Sequence, residues 1–230
     1  MKKIMNLITL LLITTCIMTK VTAQNSADGT SKERLKMSGQ VMLLSATNST
    51  FTGGYFSLSP AARGQATASY RGFAFTAVRN SDLLDQASLA NANILIPAYS
   101  STFGAFTMTL ATETYLFDRH HNFDMVAPTV TFLRKGKINV EAFVVYAFIM
   151  ENENANIFSQ RLAISKDYAG FTFKLTGWNV DWGTHRMAFS AEISAKINDH
   201  LRLTVMSNLN YNYATEITQK FGVVRLAYAF

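Results

Sequence analysis

Long segments of alternating apolar and polar residues run through most of this chain. In residues 137–150, every second residue from Ile138 to Met150 is apolar. Residues 186–197 and 201–213 repeat the alternation. Because successive side chains of a β-strand point to opposite faces, this pattern predicts strands with one continuous apolar face. Helical periodicity is scarce, so the chain is predicted to be all-β.

Strand length separates the possible β-folds. Strands of soluble proteins average about 5 to 6 residues, whereas a tilted strand needs about 9 to 11 to cross a bilayer. In a bilayer every backbone polar group must be paired, and a closed barrel achieves this without edges. The pattern predicts a transmembrane antiparallel up-and-down β-barrel of about twelve strands, with ten or fourteen as alternatives. The twelve predicted strands, of about 10 to 15 residues each, are 34–46, 49–60, 66–78, 87–97, 104–117, 124–134, 137–150, 157–167, 170–180, 185–197, 200–213 and 216–230.

Aromatic residues on the apolar faces also indicate a membrane barrel. If the N-terminus is periplasmic and odd strands run outward, these aromatics collect at two heights, as expected of rings that favour the membrane interface. The alternative is that aromatics are simply good strand formers. The outer set is Tyr146, Phe148, Phe158, Tyr211 and Tyr213, and the periplasmic set is Phe106, Tyr168, Phe171, Tyr228 and Phe230.

The N-terminus has the layout of a cleaved export signal. Lys2 and Lys3 make the first residues positively charged, residues 5–18 form a short apolar run, and small residues at 21–23 predict cleavage after Ala23. An alternative is that Cys16 is the acylated cysteine of a lipobox, although Thr15 precedes it where a smaller residue is usual. The predicted organisation is therefore a signal peptide, 1–23, and one barrel domain, 24–230.

Removing the export signal changes what the net charge means. The full chain carries a formal charge of +6, and three of its lysines, Lys2, Lys3 and Lys20, lie in residues 1–23. The remaining basic residues are spread over many strands, and no helix-turn-helix or basic-aromatic surface pattern is present. We therefore expect no nucleic-acid partner.

The last predicted strand ends in an alternating apolar pattern formed by Val224, Leu226, Tyr228 and the terminal Phe230. This resembles the C-terminal assembly signal of Gram-negative outer-membrane β-barrel proteins, although Arg225 stands where that signal usually has glycine. The resemblance implies export to the outer membrane, insertion by the barrel-assembly machinery, and contact with outer-membrane lipid and lipopolysaccharide. It extends over the whole mature chain as a pattern rather than as residue-by-residue similarity.

The predicted inward faces carry more bases than acids. One hypothesis is a lumen that favours anions or acidic solutes; the other is a filled interior in which the charges pair, with Lys174 and Glu192 meeting diagonally. The residues predicted to line the lumen are Lys36, Arg71, Glu113, Glu141, Arg161, Lys174, Arg186, Glu192, Arg202 and Arg225, with Lys196 and Asp167 nearby.

Histidines in two predicted outer loops raise two further possibilities. His120 and His121 lie close to Asp124, and one histidine with a carboxylate could bind a metal; the simpler interpretation is a solvated polar loop. His185, with Ser190 five residues later, suggests an outer-leaflet lipid hydrolase, but a catalytic pair must lie within hydrogen-bond reach. We expect no metal or other cofactor, and no catalytic residue is assigned.

Three functional hypotheses remain at the level of sequence. The predicted outer loops are short, the longest at about 79–86, which favours a small porin-like channel with a mild anion preference over a receptor. The second hypothesis is a structural or accessory barrel with a filled lumen, and the third is the lipid hydrolase.

Overall fold

Twelve long antiparallel strands close into a barrel in the computed structural model. The structure describes residues 34–49, 51–151 and 156–230, so the predicted signal peptide, its cleavage site and Cys16 lie outside the described residues. Within those ranges, no helix is both long and apolar enough to cross a membrane. The barrel strands are β1 (Lys36–Leu44), β4 (Ala61–Tyr70), β5 (Phe73–Asp82), β6 (Ala92–Phe103), β7 (Phe106–Phe117), β8 (Met125–Arg134), β9 (Asn139–Ile149), β10 (Ile157–Tyr168), β11 (Phe171–Asp181), β12 (His185–Lys196), β13 (Leu201–Asn212) and β14 (Ile217–Ala229).

The connections between strands define two ends of the barrel. At the turn end, consecutive strands are joined by residues 71–72, 104–105, 135–138, 169–170 and 197–200. At the loop end, the connections are 45–60, 83–91, 118–124, 150–156, 182–184 and 213–216. Each strand pairs with its neighbour in the chain, and β1 pairs with both β4 and β14. The predicted up-and-down barrel of twelve strands is confirmed.

The first strands were misplaced by the sequence pattern. Residues 49–60, predicted as the second strand, do not form a strand of the barrel wall. They belong to the connection 45–60, where β2 (Thr47–Asn48) and β3 (Tyr55–Ser57) form a small separate sheet. Residues 66–78, predicted as one strand, are split into β4 and β5 by a turn at Arg71 and Gly72. Both turn residues have positive φ, +50° and +83°, which is the geometry of a two-residue hairpin turn.

Two other boundaries also changed. The strand predicted at 87–97 is β6, Ala92–Phe103. The longest connection is 45–60 rather than the predicted 79–86. The sequence of β4 is AARGQATASY, with small residues on both faces. It therefore lacks the difference in polarity between the two faces from which the alternation predicts a strand.

The two faces of the barrel wall differ as the alternation predicts. Along β9, Phe143, Val145 and Ala147 are buried inside the barrel, while the intervening Val144, Tyr146 and Phe148 are exposed on the outside. The outward-facing apolar side chains have no protein core to cover them. This is the arrangement expected of a wall whose outer face meets lipid.

The seam between the first and last strands closes the barrel. β1 and β14 pair from Gln40 opposite Ala229 to Leu44 opposite Arg225. Beyond them, Gly39 and Phe230 exchange two backbone hydrogen bonds of 2.9 and 3.0 Å. The Phe230 ring lies over Gly39, so close that a Cβ at position 39 would come within 2.4 Å of it. The terminal aromatic thus covers a glycine of the first strand.

Candidate functional site in the barrel lumen

The connection 45–60, hereafter the inward segment, lies inside the lumen rather than outside the barrel. Its Phe51 is 2% exposed. The Phe51 ring meets Tyr115 of β7 edge-on at 5.3 Å between centroids and stacks on Phe143 of β9 at 6.3 Å. The Ser159 hydroxyl of β10 donates a hydrogen bond to the Phe51 carbonyl. Three barrel strands therefore hold this residue within the lumen.

Gly53 brings the inward segment close to β11 and β12. Its φ is +64°, and a Cβ there would lie 2.7 Å from that of Ala188 and 2.9 Å from the Trp178 ring. Only glycine combines this backbone conformation with so close an approach. The Ser49 hydroxyl accepts hydrogen bonds of 3.2 Å from the backbone N–H of Phe51 and of Thr52, which fixes the turn that carries both residues.

An apolar cluster surrounds Phe51 and fills the loop-end half of the lumen. Its members come from eight barrel strands, β5 to β12, and include large side chains such as Phe117, Ile149 and Trp178. Apolar packing of this kind excludes water. In this conformation the inward segment closes the lumen towards the loop end.

A cavity of about 140 Å³ with a polar lining lies next to the apolar cluster and shares Trp178 with it. Its charged lining consists of four bases and one acid, namely Arg63, Arg161, Lys174, Arg225 and Glu192. The bases come from β4, β10, β11 and β14, so the charge converges from several sides of the barrel.

Two of the four bases have carboxylate partners. Arg161 Nη2 lies 2.5 Å from Glu141 Oε1, and its guanidinium stands 4.4 Å above the Phe143 ring. Arg225 Nη2 lies 3.3 Å from Glu192 Oε2, and Ser194 donates to the other oxygen of that carboxylate at 3.2 Å. These contacts agree with the hypothesis of internal pairing, but they involve only part of the positive charge.

The side chains of Arg63 and Lys174 form no hydrogen bond or ion pair with any described residue. The Arg63 Nε is buried and unsatisfied, although its side chain interacts electrostatically with Glu113. Glu113 instead accepts a 2.9 Å hydrogen bond from the Tyr115 hydroxyl. Lys174 stands directly opposite Glu192 in the strand register, but that carboxylate is occupied by Arg225 and Ser194. The expected diagonal contact between Lys174 and Glu192 is therefore not formed.

The other predicted lumen bases lie towards the barrel ends. Lys36 and Arg202 fall on inward positions at the turn end and are exposed. Arg186 lies near the loop end, 5.2 Å above the Trp182 ring, and donates to Thr184 at 3.3 Å. Arg71 occupies the turn between β4 and β5, with its guanidinium 5.2 Å above the Tyr70 ring, so it stands outside the strand faces that line the lumen.

Sequence reasoning missed three inward residues of this site. Arg63 falls between the strands predicted at 49–60 and 66–78, whereas in the structure it lies in β4 and faces the cavity. Asp82 ends β5, is 8% exposed and accepts a 2.6 Å hydrogen bond from Ser57 of the inward segment. Phe51 was assigned to a wall strand. The paired glycines at 53–54 were the available signal that this segment is not an ordinary strand.

The residues of the predicted assembly signal lie on the outside of the barrel. Val224, Leu226 and Tyr228 are exposed on the outward face of β14, and Phe230 follows them at the seam. The placement agrees with a lipid-facing terminal strand, and recognition by an assembly machinery stays a prediction.

The histidines do not converge on a catalytic pair. His185 is exposed and stacks near Tyr213, with ring centroids 5.1 Å apart. Ser190 faces the lumen and is 7% exposed, so the two residues project from opposite faces of β12. His120 bonds the Ala87 carbonyl, and His121 Nδ1 lies 3.2 Å from Asp124 Oδ2. No group of three or more metal-ligating side chains occurs within residues 34–49, 51–151 and 156–230.

Comparison with known proteins identifies the fold. No protein-family model and no curated protein matches the chain. Among solved structures, a KdgM porin superposes with a TM-score of 0.60 at 9% identity, covering 84% of this chain and 98% of the porin. A NanC porin gives 0.60 at 9% identity, covering 85% and 99%. Outer membrane phospholipase A from Escherichia coli gives 0.51 at 11% identity, covering 89% and 93%. The chain therefore has the fold of outer-membrane β-barrel proteins.

Proposed function

We propose that this protein is a small porin-like channel of the outer membrane that passes small solutes and prefers anions. The observation that carries the proposal is the polar cavity, which is lined by four bases and one acid. Among the described residues, neither Arg63 nor Lys174 forms an ion pair there, although Arg63 interacts electrostatically with Glu113. Unpaired cations in a confined space attract anions and repel cations, since their field is screened less there than in bulk water.

The turn-end mouth adds to this preference. Lys36, Lys196 and Arg202 all occupy inward positions there. They outnumber two acids at the same end, the inward Asp167 and Asp199, which pairs with Lys196 at 2.7 Å. One similar porin was solved in complex with disordered oligogalacturonate, a chain of sugar acids. That porin is only 9% identical, so for this chain the preference for acidic solutes rests on its own lumen charges.

The second candidate function is a structural or accessory barrel with a filled lumen. The apolar cluster around Phe51 favours it, because in this conformation the inward segment closes the loop end. The two candidates differ in one property: in a channel the inward segment must leave its pocket, whereas in a filled barrel it stays there. The lipid hydrolase has no such support, since His185 and Ser190 project from opposite faces.

Planar-bilayer recording of the purified barrel tests the proposal. We expect discrete channels whose reversal potential in a potassium chloride gradient shows that chloride is more permeable than potassium. A cation preference would contradict the argument from lumen charge. The absence of discrete channels, even after substitution of Phe51 weakens the packing of the inward segment in the lumen, would favour the filled barrel instead.

The selectivity can be assigned to particular residues. Lys174→Gln removes an inward charge that has no ion pair. One unit charge about 4 Å from an ion in water changes the permeability of chloride and of potassium by about fivefold each, in opposite directions, so the chloride-to-potassium ratio should fall by about 25-fold. Lys220→Gln is the matched control, because Lys220 is exposed and occupies an outward position on β14. It should leave the ratio unchanged, and an equal effect of both substitutions would show that overall charge, not the lumen, sets selectivity.

A further inference from the structure

A group of basic residues lies on the outside of the barrel at the turn end. Arg134 ends β8 on its outward face, Lys135 and Lys137 occupy the following turn, and Lys166 lies outward on β10. By extension of the β9–β10 register, Lys166 stands beside Ile138, the residue after Lys137. These four residues, hereafter the basic patch, thus lie on neighbouring strands and their shared turn.

The basic patch is not neutralised by the protein. All four side chains are exposed, and none forms an ion pair with any described residue. The nearest acids belong to the inner face: Glu141 pairs with Arg161, and Asp167 accepts a 2.6 Å hydrogen bond from Thr172. An outward-facing cluster of one sign needs counter-ions from outside the chain.

The surface next to the basic patch is apolar. Phe132 and Phe106 are 51% and 56% exposed, beside Arg134, and Ile164 and Phe173 are each 46% exposed around Lys166. The outer wall therefore changes from apolar to basic within a few residues. A membrane lipid changes in the same order, from apolar acyl chains to a negatively charged phosphate. Long basic side chains at such a boundary extend into the headgroup layer while their stems stay in the apolar region.

The two ends of the barrel also differ in charge. We counted each connection together with the three strand residues next to it, in the part of the chain that the structure describes. The turn end then holds seven bases and three acids, and the loop end holds three bases and seven acids. An anionic partner is therefore attracted to the turn end and repelled from the loop end.

We propose that the basic patch binds phospholipids with negatively charged headgroups in the leaflet that surrounds the turn end. Each headgroup phosphate would lie among Arg134, Lys135, Lys137 and Lys166, and the acyl chains would cover the adjacent aromatic wall. The proposal depends on insertion into a membrane but not on an open lumen, so a failure to conduct ions leaves it unaffected.

The test is competition between two lipids for the folded barrel. The full barrel is purified into nanodiscs containing equal amounts of phosphatidylglycerol and phosphatidylcholine, and the lipids that it retains are counted by native mass spectrometry. The wild type should retain phosphatidylglycerol preferentially, and salt should weaken that preference because the attraction is electrostatic. Equal retention of both lipids by the wild type would overturn the proposal without any variant.

Substitutions then locate the site. Combined Lys135→Gln, Lys137→Gln and Lys166→Gln should lower the preference at least tenfold, since each basic residue near a membrane surface contributes about fivefold. The control combines Lys36→Gln, Lys196→Gln and Arg202→Gln, which removes the same charge from inward positions at the same end. The control should change the preference less than about twofold. Equal losses in both triple variants would show that binding follows total charge and would refute a site at the basic patch.

Discussion

Replacing Phe51 by alanine should release the inward segment and open the loop end of the lumen. The Phe51 ring is almost completely buried and packs between Tyr115 and Phe143. It lies outside the hydrogen-bonded wall, so its loss leaves the strand pairing intact. The substitution should therefore destabilise the docked position of the inward segment without destabilising the barrel.

The size of the effect follows from the burial of the ring. Truncation of a buried phenylalanine to alanine costs about 3 to 5 kcal/mol. If that free energy holds the segment in its pocket, losing 3 kcal/mol raises the ratio of released to docked segment by about 100-fold. The remaining attachments, such as the hydrogen bond between Ser57 and Asp82, would keep part of the population docked.

Single-channel recording measures this ratio as open probability. Phe51→Ala should open at least about 100-fold more often than the wild type. Leu58→Ala is the matched control, because Leu58 belongs to the same segment but is 59% exposed. Heat-modifiable migration on gels should stay the same in both variants, which verifies that the barrel is folded.

Two results would refute the reasoning. One is a Phe51→Ala barrel that is folded but has the open probability of the wild type, since the ring would then not hold the segment. The other is an equal increase in Leu58→Ala, since loss of a buried ring could not then be the cause.

Two further experiments test which contacts stabilise the barrel wall. Gly39→Val should displace the Phe230 ring at the seam, at an overpacking cost of about 1 to 3 kcal/mol, and so lower the unfolding temperature on heat-modifiability gels. Gly64→Val is the control, because no atom lies within 4 Å of the added Cβ, and it should leave the unfolding temperature unchanged. Equal losses in both variants would contradict a role for the seam. The bidentate pair between Arg79 and Asp118, with both N···O distances 2.6 Å, is partly exposed on the outside near the loop end, so a double-mutant cycle should measure a coupling of up to about 1 kcal/mol. A coupling of zero would show that the pair does not stabilise the wall.

The sequence predicted the later strands well because their residues carry the necessary contrast. In β9 and β12 nearly every outward residue is apolar, and a slip of one residue would reverse the two faces. β4 and β5 lack this contrast. Their boundary depends on the left-handed conformations of Arg71 and Gly72. Of these two residues, only glycine is a residue type that indicates such a conformation from the sequence.

The lumen was predicted only in part. Alternation predicts Glu141, Arg161 and Lys174 on the inner face, because inward and outward positions follow from the period of the strand. It did not determine which charges pair. Arg161 reaches Glu141 on the neighbouring strand, while Lys174 does not pair with the Glu192 that faces it. Those outcomes depend on which side chains compete for each carboxylate.

By itself, the sequence determined an all-β barrel with an apolar outer face and an excess of inward bases, because these properties follow from the local alternation of residues along each strand. Only the tertiary structure decided that the inward segment lies within the lumen. That position depends on Phe51 and Gly53 meeting Tyr115, Phe143 and Trp178, which are distant in sequence and come together only when the barrel closes. Tertiary structure likewise decided which cations remain unpaired, since pairing depends on distances across the closed lumen.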